Sequence, residues 1–175
     1  NGDHFNMKDY HVFSLNGNDP MTSEVVDHGM VMEVADIPWA GRQLWDCDVA
    51  RKDGKYYMYF PLKDKNDIFR LGVAISDSPT GPFVPQPDPI KGSYSIDPAI
   101  LEEDGKYYMY FPMKDKNDIF RFGVAISDKP YGPFVPQPHP MLGSYSIDVA
   151  VFEEDGKHYF YFGGMDAYRL IINTD

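Results

Sequence analysis

Residues 54–104 read GKYYMYFPLKDKNDIFRLGVAISDSPTGPFVPQPDPIKGSYSIDPAILEED, and residues 105–155 read GKYYMYFPMKDKNDIFRFGVAISDKPYGPFVPQPHPMLGSYSIDVAVFEED. The second copy follows the first without a gap, at a period of 51 residues, and only ten positions differ. Leu62/Met113, Leu71/Phe122, Ser78/Lys129, Thr80/Tyr131 and Asp88/His139 are among them. A third copy opens at Gly156 with GKHYFYFGG and soon diverges. Repetition on this scale marks solenoids, propellers and arrays, whose units bury their faces only against one another.

Each unit spells out the same short elements. A brief apolar run (49–51, 98–102, 149–153) meets a turn, KDG or EEDG. The aromatic segment KYYMYFP comes next, with Tyr56, Met58 and Phe60 alternating with Tyr57 and Tyr59. That is the period of two of a β-strand. After the polar loop KDKND comes another strand, IFRLGVAISD or IFRFGVAISD. A Pro/Gly turn leads to the short strand PFVPQ, and PQPDPIKGSYS is too rich in proline for a central strand, so it reads as an edge or a crossover. Upstream, YHVFSLN (10–16) alternates like a strand, and EVVDHGMVM (24–32) reads as a second strand interrupted at His28 and Gly29. ADIPWAGRQLW (35–45) has no clean period and reads as a loop. No stretch carries an amphipathic helix pattern.

Four short antiparallel strands in about fifty residues make the blade of a β-propeller. The expectation is an all-β propeller of four-stranded blades, about three and a half per chain; a β-sandwich is the competing architecture. One domain spans 1–175. It divides into a partial first blade and loop (1–45), a blade (46–96), its duplicate (97–147) and a partial last blade (148–175).

Asp97 in SYSIDPAI, Asp148 in SYSIDVAV and Asp48 in LWDCDVA each precede the first strand of a unit. A propeller brings these points together at one mouth of its channel, so the three are expected to converge, with Asp46 nearby. Clustered carboxylates repel, which raises some of their pKa values and suits acid/base work near neutral pH. The competing role for each Asp is to cap a turn through backbone hydrogen bonds.

The formal charge of −11 argues against nucleic-acid partners and anionic membrane surfaces, whereas a neutral ligand such as a sugar is compatible with it. Cys47 is the single cysteine, so no intrachain disulfide forms. There is no apolar run of about 20 residues to cross a membrane. The opening on Asn1 rather than Met is expected of a chain that has lost a leader or tag. Localisation stays open between secreted, periplasmic and cytoplasmic.

LWDCDVARKDGKYYMYFP resembles the W-A-P-D-[VI]…D-G-K-[YF]-Y-L-Y-Y element of glycoside hydrolase family 43. GVAISDSPTGPF resembles its G-V-A-x-S-[DK]-x-P-x-G-P-[FW] element, and SIDPAILEEDGKYYMYF its I-D-P-x-x-F…D-D-G-x-x-Y-L-Y element. The order of the pieces agrees with the family over residues 9–162, and the nearest members are β-xylosidases and α-L-arabinofuranosidases. The resemblance implies a five-bladed propeller that hydrolyses xylose- or arabinose-containing glycosides with inversion, by an Asp base and a Glu acid.

Carried over by motif, Asp97 corresponds to the Asp that tunes the acid's pKa, and Trp45 to the tryptophan at the pocket wall. Asp148 stands where the catalytic Glu is expected, and Asp48 or Asp46 is the nearest candidate base. The family's own base motif finds no match, so activity is expected to be weak or absent. A calcium ion in the channel is implied by resemblance alone, since none of the five histidines forms a metal spacing and no ligand set is visible. His158 reads as a packing residue. The pattern is that of a truncated member with a duplicated blade, either recent in origin or engineered. A non-catalytic sugar-binding or structural propeller is the alternative. Incomplete terminal blades predict a homo-oligomer.

Overall fold

The computed structural model describes residues 5–163 apart from Tyr94. Strands β1 (Asp9–Asn16) and β2 (Glu24–Glu33) pair as an antiparallel hairpin. A 3-10 turn at Val34–Asp36 leads to β3 (Ala40–Arg42). Strands β4 (Asp48–Lys52), β5 (Lys55–Asp64), β6 (Phe69–Ser76) and β7 (Val84–Pro85) form a second sheet in that order, with β3 beside the far end of β5. Strands β8 (Ala99–Glu103), β9 (Lys106–Lys114), β10 (Phe120–Ser127) and β11 (Val135–Pro136) repeat it, and β12 (Ile147–Glu154) and β13 (Lys157–Gly163) form the last hairpin.

The period of two sorts each strand's side chains onto opposite faces. On β5, Met58 and Phe60 face the first hairpin and share a core with Tyr10, Met32 and Ile37. Tyr57 and Tyr59 face the other way, into a core with Tyr107 and Met109 of β9. One unit on, Tyr110 and Phe122 meet Phe160 and Phe162 of β13, with ring centroids 5.0 Å and 5.2 Å apart in edge-on pairs. Three cores in series are what stacked blades produce; a sandwich has one core between two sheets. Burying each such large side chain contributes roughly 1.5–3 kcal/mol. The fold is therefore an all-β stack of propeller blades.

Two local expectations need correction. The 35–45 segment is not wholly loop. The start of β4 reaches only Tyr59 on β5, so the edge at Lys63 and Asp64 is open, and β3 takes it through Ala40↔Asp64 and Arg42↔Lys63. Gly41 permits this, since a Cβ there would lie 2.4 Å from the Asp64 carbonyl oxygen. Nor do His28 and Gly29 interrupt β2. They form a bulge, across which the register jumps from His11↔Met30 to Phe13↔Asp27, and Gly29 takes φ +77°.

Candidate active site

Each unit's acidic residue is placed by a hydrogen bond that recurs with the repeat. The hydroxyl of Ser95 donates to the carbonyl of Pro112, and that of Ser146 to the carbonyl of Gly163, one period later. In the first full blade the Trp45 N–H donates to the Pro61 carbonyl, 3.1 Å away. These contacts pin the entering chain to the end of the second strand of its own blade. Asp97 and Asp148 then take φ +46° and +58°, a left-handed backbone that Asp tolerates better than most residues.

The result is a meeting of three carboxylates. Asp46, Asp97 and Asp148 each offer one oxygen, and these oxygens lie within 4.8 Å of one another. They line a cleft of about 360 Å³ together with Cys47, Asp48 and the first residues of β8 and β12. Partial burial pushes the Asp97 carboxyl up to about 7, helped by its hydrogen bond to Asp148 and by the charges of Asp148 and Asp46. Asp97 therefore holds a proton near neutral pH that an ordinary carboxyl has lost.

Asp48 does not occupy the position that the sequence reading gave it. The period leads from Asp148 to Asp97 (148 − 51 = 97) and on to Asp46 (97 − 51 = 46), not to Asp48. The strand registers agree: Asp48 pairs with Tyr59 where Ala99 pairs with Tyr110 and Ala150 with Tyr161. The Asp48 carboxylate is spent on backbone. Its Oδ1 accepts from the Val49 N–H at 2.7 Å, and its Oδ2 accepts from the Ile100 N–H at 2.8 Å, tying one blade to the next.

Trp45 is half-buried and does not line this cleft. Its Nε1 donates to the Phe5 carbonyl at 2.7 Å, and its ring lies 4.4 Å from that of Phe69. His158 pairs with Glu103 of the preceding sheet at 3.0 Å, an inter-blade tie rather than a metal contact. The signal that identifies Asp46 was present in the sequence as the exact period. The place of Cys47 in the cleft wall carried no such signal. A hard cation prefers oxygen donors such as these, but three carboxylate oxygens are about half of what calcium takes, so the described residues do not complete a calcium site.

The chain matches the model of "Glycosyl hydrolases family 43" over residues 26–105 and again over 98–174, so the duplication is visible there too. A "Xylosidase/arabinosidase" of Bacteroides ovatus is 70% identical over 112 residues, 63% of this chain and 34% of that protein. "Xylosidase/arabinosidase 43A" of Humicola insolens is 64% identical over 112 residues, again 63% and 34%. The chain thus spans about a third of the length of these curated relatives. Among solved structures, RS223 β-xylosidase is similar at 37% identity and TM-score 0.59, covering 91% of this chain and 76% of that one. CoXyl43, a β-xylosidase/α-arabinofuranosidase from a compost metagenome solved with xylotriose in a calcium-free form, is 34% identical at TM-score 0.58, covering 91% and 75%.

Proposed function

We propose that this chain, which belongs to family 43 of the glycosyl hydrolases, takes xylose- or arabinose-containing glycosides into the acidic cleft. The observation that carries this reading is the meeting of Asp46, Asp97 and Asp148 at one end of three successive blades. Asp97, protonated near neutral pH, donates a hydrogen bond to a sugar oxygen and tunes its neighbours. Asp148 stands in the place of the general acid. Asp46 replaces Asp48 as the nearest candidate base, because both Asp48 oxygens are held by backbone N–H groups.

Spacing limits the chemistry. Inversion needs acid and base carboxyls roughly 6.5–9.5 Å apart, with a water between them. One oxygen of each of the three carboxylates lies within 4.8 Å of one from each of the others, a closer approach than that range. Hydrolysis by this chain alone is therefore slow or absent, and sugar binding without turnover is the second reading that the same spacing favours.

Hydrolysis of nitrophenyl β-D-xyloside and α-L-arabinofuranoside tests the first reading: slow turnover that disappears in Asp97→Asn supports it. Binding of xylotriose without turnover supports the second, and neither binding nor turnover rules out both. Self-association belongs to the same proposal. Both terminal hairpins leave apolar side chains exposed, Phe13 and Leu15 on one, Phe152 and Tyr161 on the other, where a further blade face would cover them.

A further inference from the structure

Away from the acidic cleft, the junction between the second and third sheets holds a crevice of about 190 Å³. Gln86, Asp88 and Lys91, from the segment after β7, form one wall. Tyr131, in the turn that leads to β11, forms the other, and Val73 and Phe134 close the floor. Tyr131 is 48% exposed, yet its ring has neighbours. It stacks on Tyr57 at a centroid distance of 6.5 Å, and the Lys129 Nζ lies 5.8 Å from its centroid. Among the described residues, the side chains of Gln86, Asp88 and Lys91 make no hydrogen bond or ion pair.

Among the described residues this combination occurs at one junction only of those the duplication built. Four of the ten positions at which the copies differ line the crevice, through Asp88, Ile90, Lys91 and Tyr131. The copies' counterparts of Asp88, Lys91 and Tyr131 are His139, Leu142 and Thr80. The turn with Thr80 therefore lacks the aromatic plate, and the segment with His139 and Leu142 lacks this carboxylate and ammonium pair.

We propose that the crevice binds one ring of a neutral sugar, independently of the acidic cleft. A half-exposed tyrosine presents an apolar face for the C–H face of a pyranose or furanose. An amide, a carboxylate and an ammonium group, without partners among the described residues, offer acceptors and donors to its hydroxyls. Asp88 and Lys91 balance each other in charge, which favours a neutral ligand over an ionic one. The volume lies below the 300–1,000 Å³ of drug-sized pockets and suits a single ring.

Titration of xylotriose into the isotopically labelled chain, followed residue by residue in backbone amide spectra, tests the proposal. The amides of Lys91 and Gly132 are expected to shift with saturation. In Tyr131→Thr, which installs the residue that the other copy carries, those shifts are expected to weaken at least tenfold in apparent affinity, while shifts around Asp97 stay as in the parent. Asp97→Asn is expected to leave the Lys91 and Gly132 response intact, so failure at one site is distinguishable from failure at the other. If Tyr131→Thr alters the melting temperature, Lys91→Leu, also the other copy's residue, provides the same comparison. Crevice amides that do not move with xylotriose, or that respond equally in the parent and in a folded variant, overturn it.

Discussion

Asp97 is held in an unusual state twice over, by a left-handed backbone and by a carboxyl that keeps its proton to about pH 7. The sign of the resulting pH dependence follows directly. An unfolded Asp loses its proton near 3.8, so between about pH 4 and 7 the folded chain binds more protons than the unfolded one. Stability contributed by neutral Asp97 is present at the acid end of that window, falls as pH rises through it, and levels off above 7. Asp64 and Asp115, lowered mainly by backbone N–H donors, act below the window. Melting temperatures of Asp97→Asn are therefore expected to depend less on pH between 4 and 7 than those of the parent. Asp48 works by a different route. Asp48→Ala leaves the Ile100 N–H without its acceptor, at a cost of about 1–3 kcal/mol in urea unfolding. The sequence displays all of these acids, but not that the Asp48 oxygens are taken up by backbone N–H groups. Asp46 and Asp48 stand two positions apart, and the 51-residue period, with which the strand register agrees, matches Asp46 to Asp97 and Asp48 to Ala99.

The segment excluded from the strands by its prolines still has a structural task at the scale of the element. The Gln86 N–H donates to the Val73 carbonyl and the Ile90 N–H to the Leu71 carbonyl, both at 2.8 Å, so the crossover closes the open edge of β6. Ser93 completes the closure: its Oγ accepts from the Leu71 N–H at 3.0 Å and donates to the Ile90 carbonyl at 2.6 Å. Ser144 repeats this with the Phe122 N–H and the Met141 carbonyl. Ser144→Ala, at a fully buried position, leaves the Phe122 N–H unpaired, and a loss of about 1–3 kcal/mol is expected in thermal or urea unfolding. Gly72→Ala is expected to destabilise by a similar 1–3 kcal/mol, because its Cβ would lie 2.5 Å from the Phe60 ring and 2.7 Å from Trp39. The long strands were legible because aromatic alternation over seven or more residues admits one period. Strand β3 was not, because three residues around a glycine carry no period, and its pairing is dictated by an open edge elsewhere in the chain.

At the scale of the whole molecule, blades stack by presenting one face forward and one back, and among the described residues none forms a blade in front of the last hairpin. Tyr161 is 62% exposed, whereas its repeat counterparts Tyr59 and Tyr110 are 0% and 7% exposed beneath the following blade. The 164–175 segment, with YRLIINTD, lies outside the described residues. Self-association through these faces predicts a sedimentation mass above that of one chain, which Tyr161→Lys is expected to lower; a single-chain mass for the parent removes the idea. The serial cores were readable from the repeat, but the spacing of the carboxylates was not, since it depends on the angle between successive blades. That spacing is the basis of the proposal that this chain binds sugar in the acidic cleft and hydrolyses it slowly or not at all. The most direct test is the hydrolysis rate of nitrophenyl β-D-xyloside against pH for the parent and for Asp97→Asn, with xylotriose binding measured on the same samples. Xylotriose binding by the parent, with any slow turnover falling above about pH 7 and absent from Asp97→Asn, is the expected result. Equal turnover by both chains, or a parent that neither binds nor turns over sugar, would contradict it.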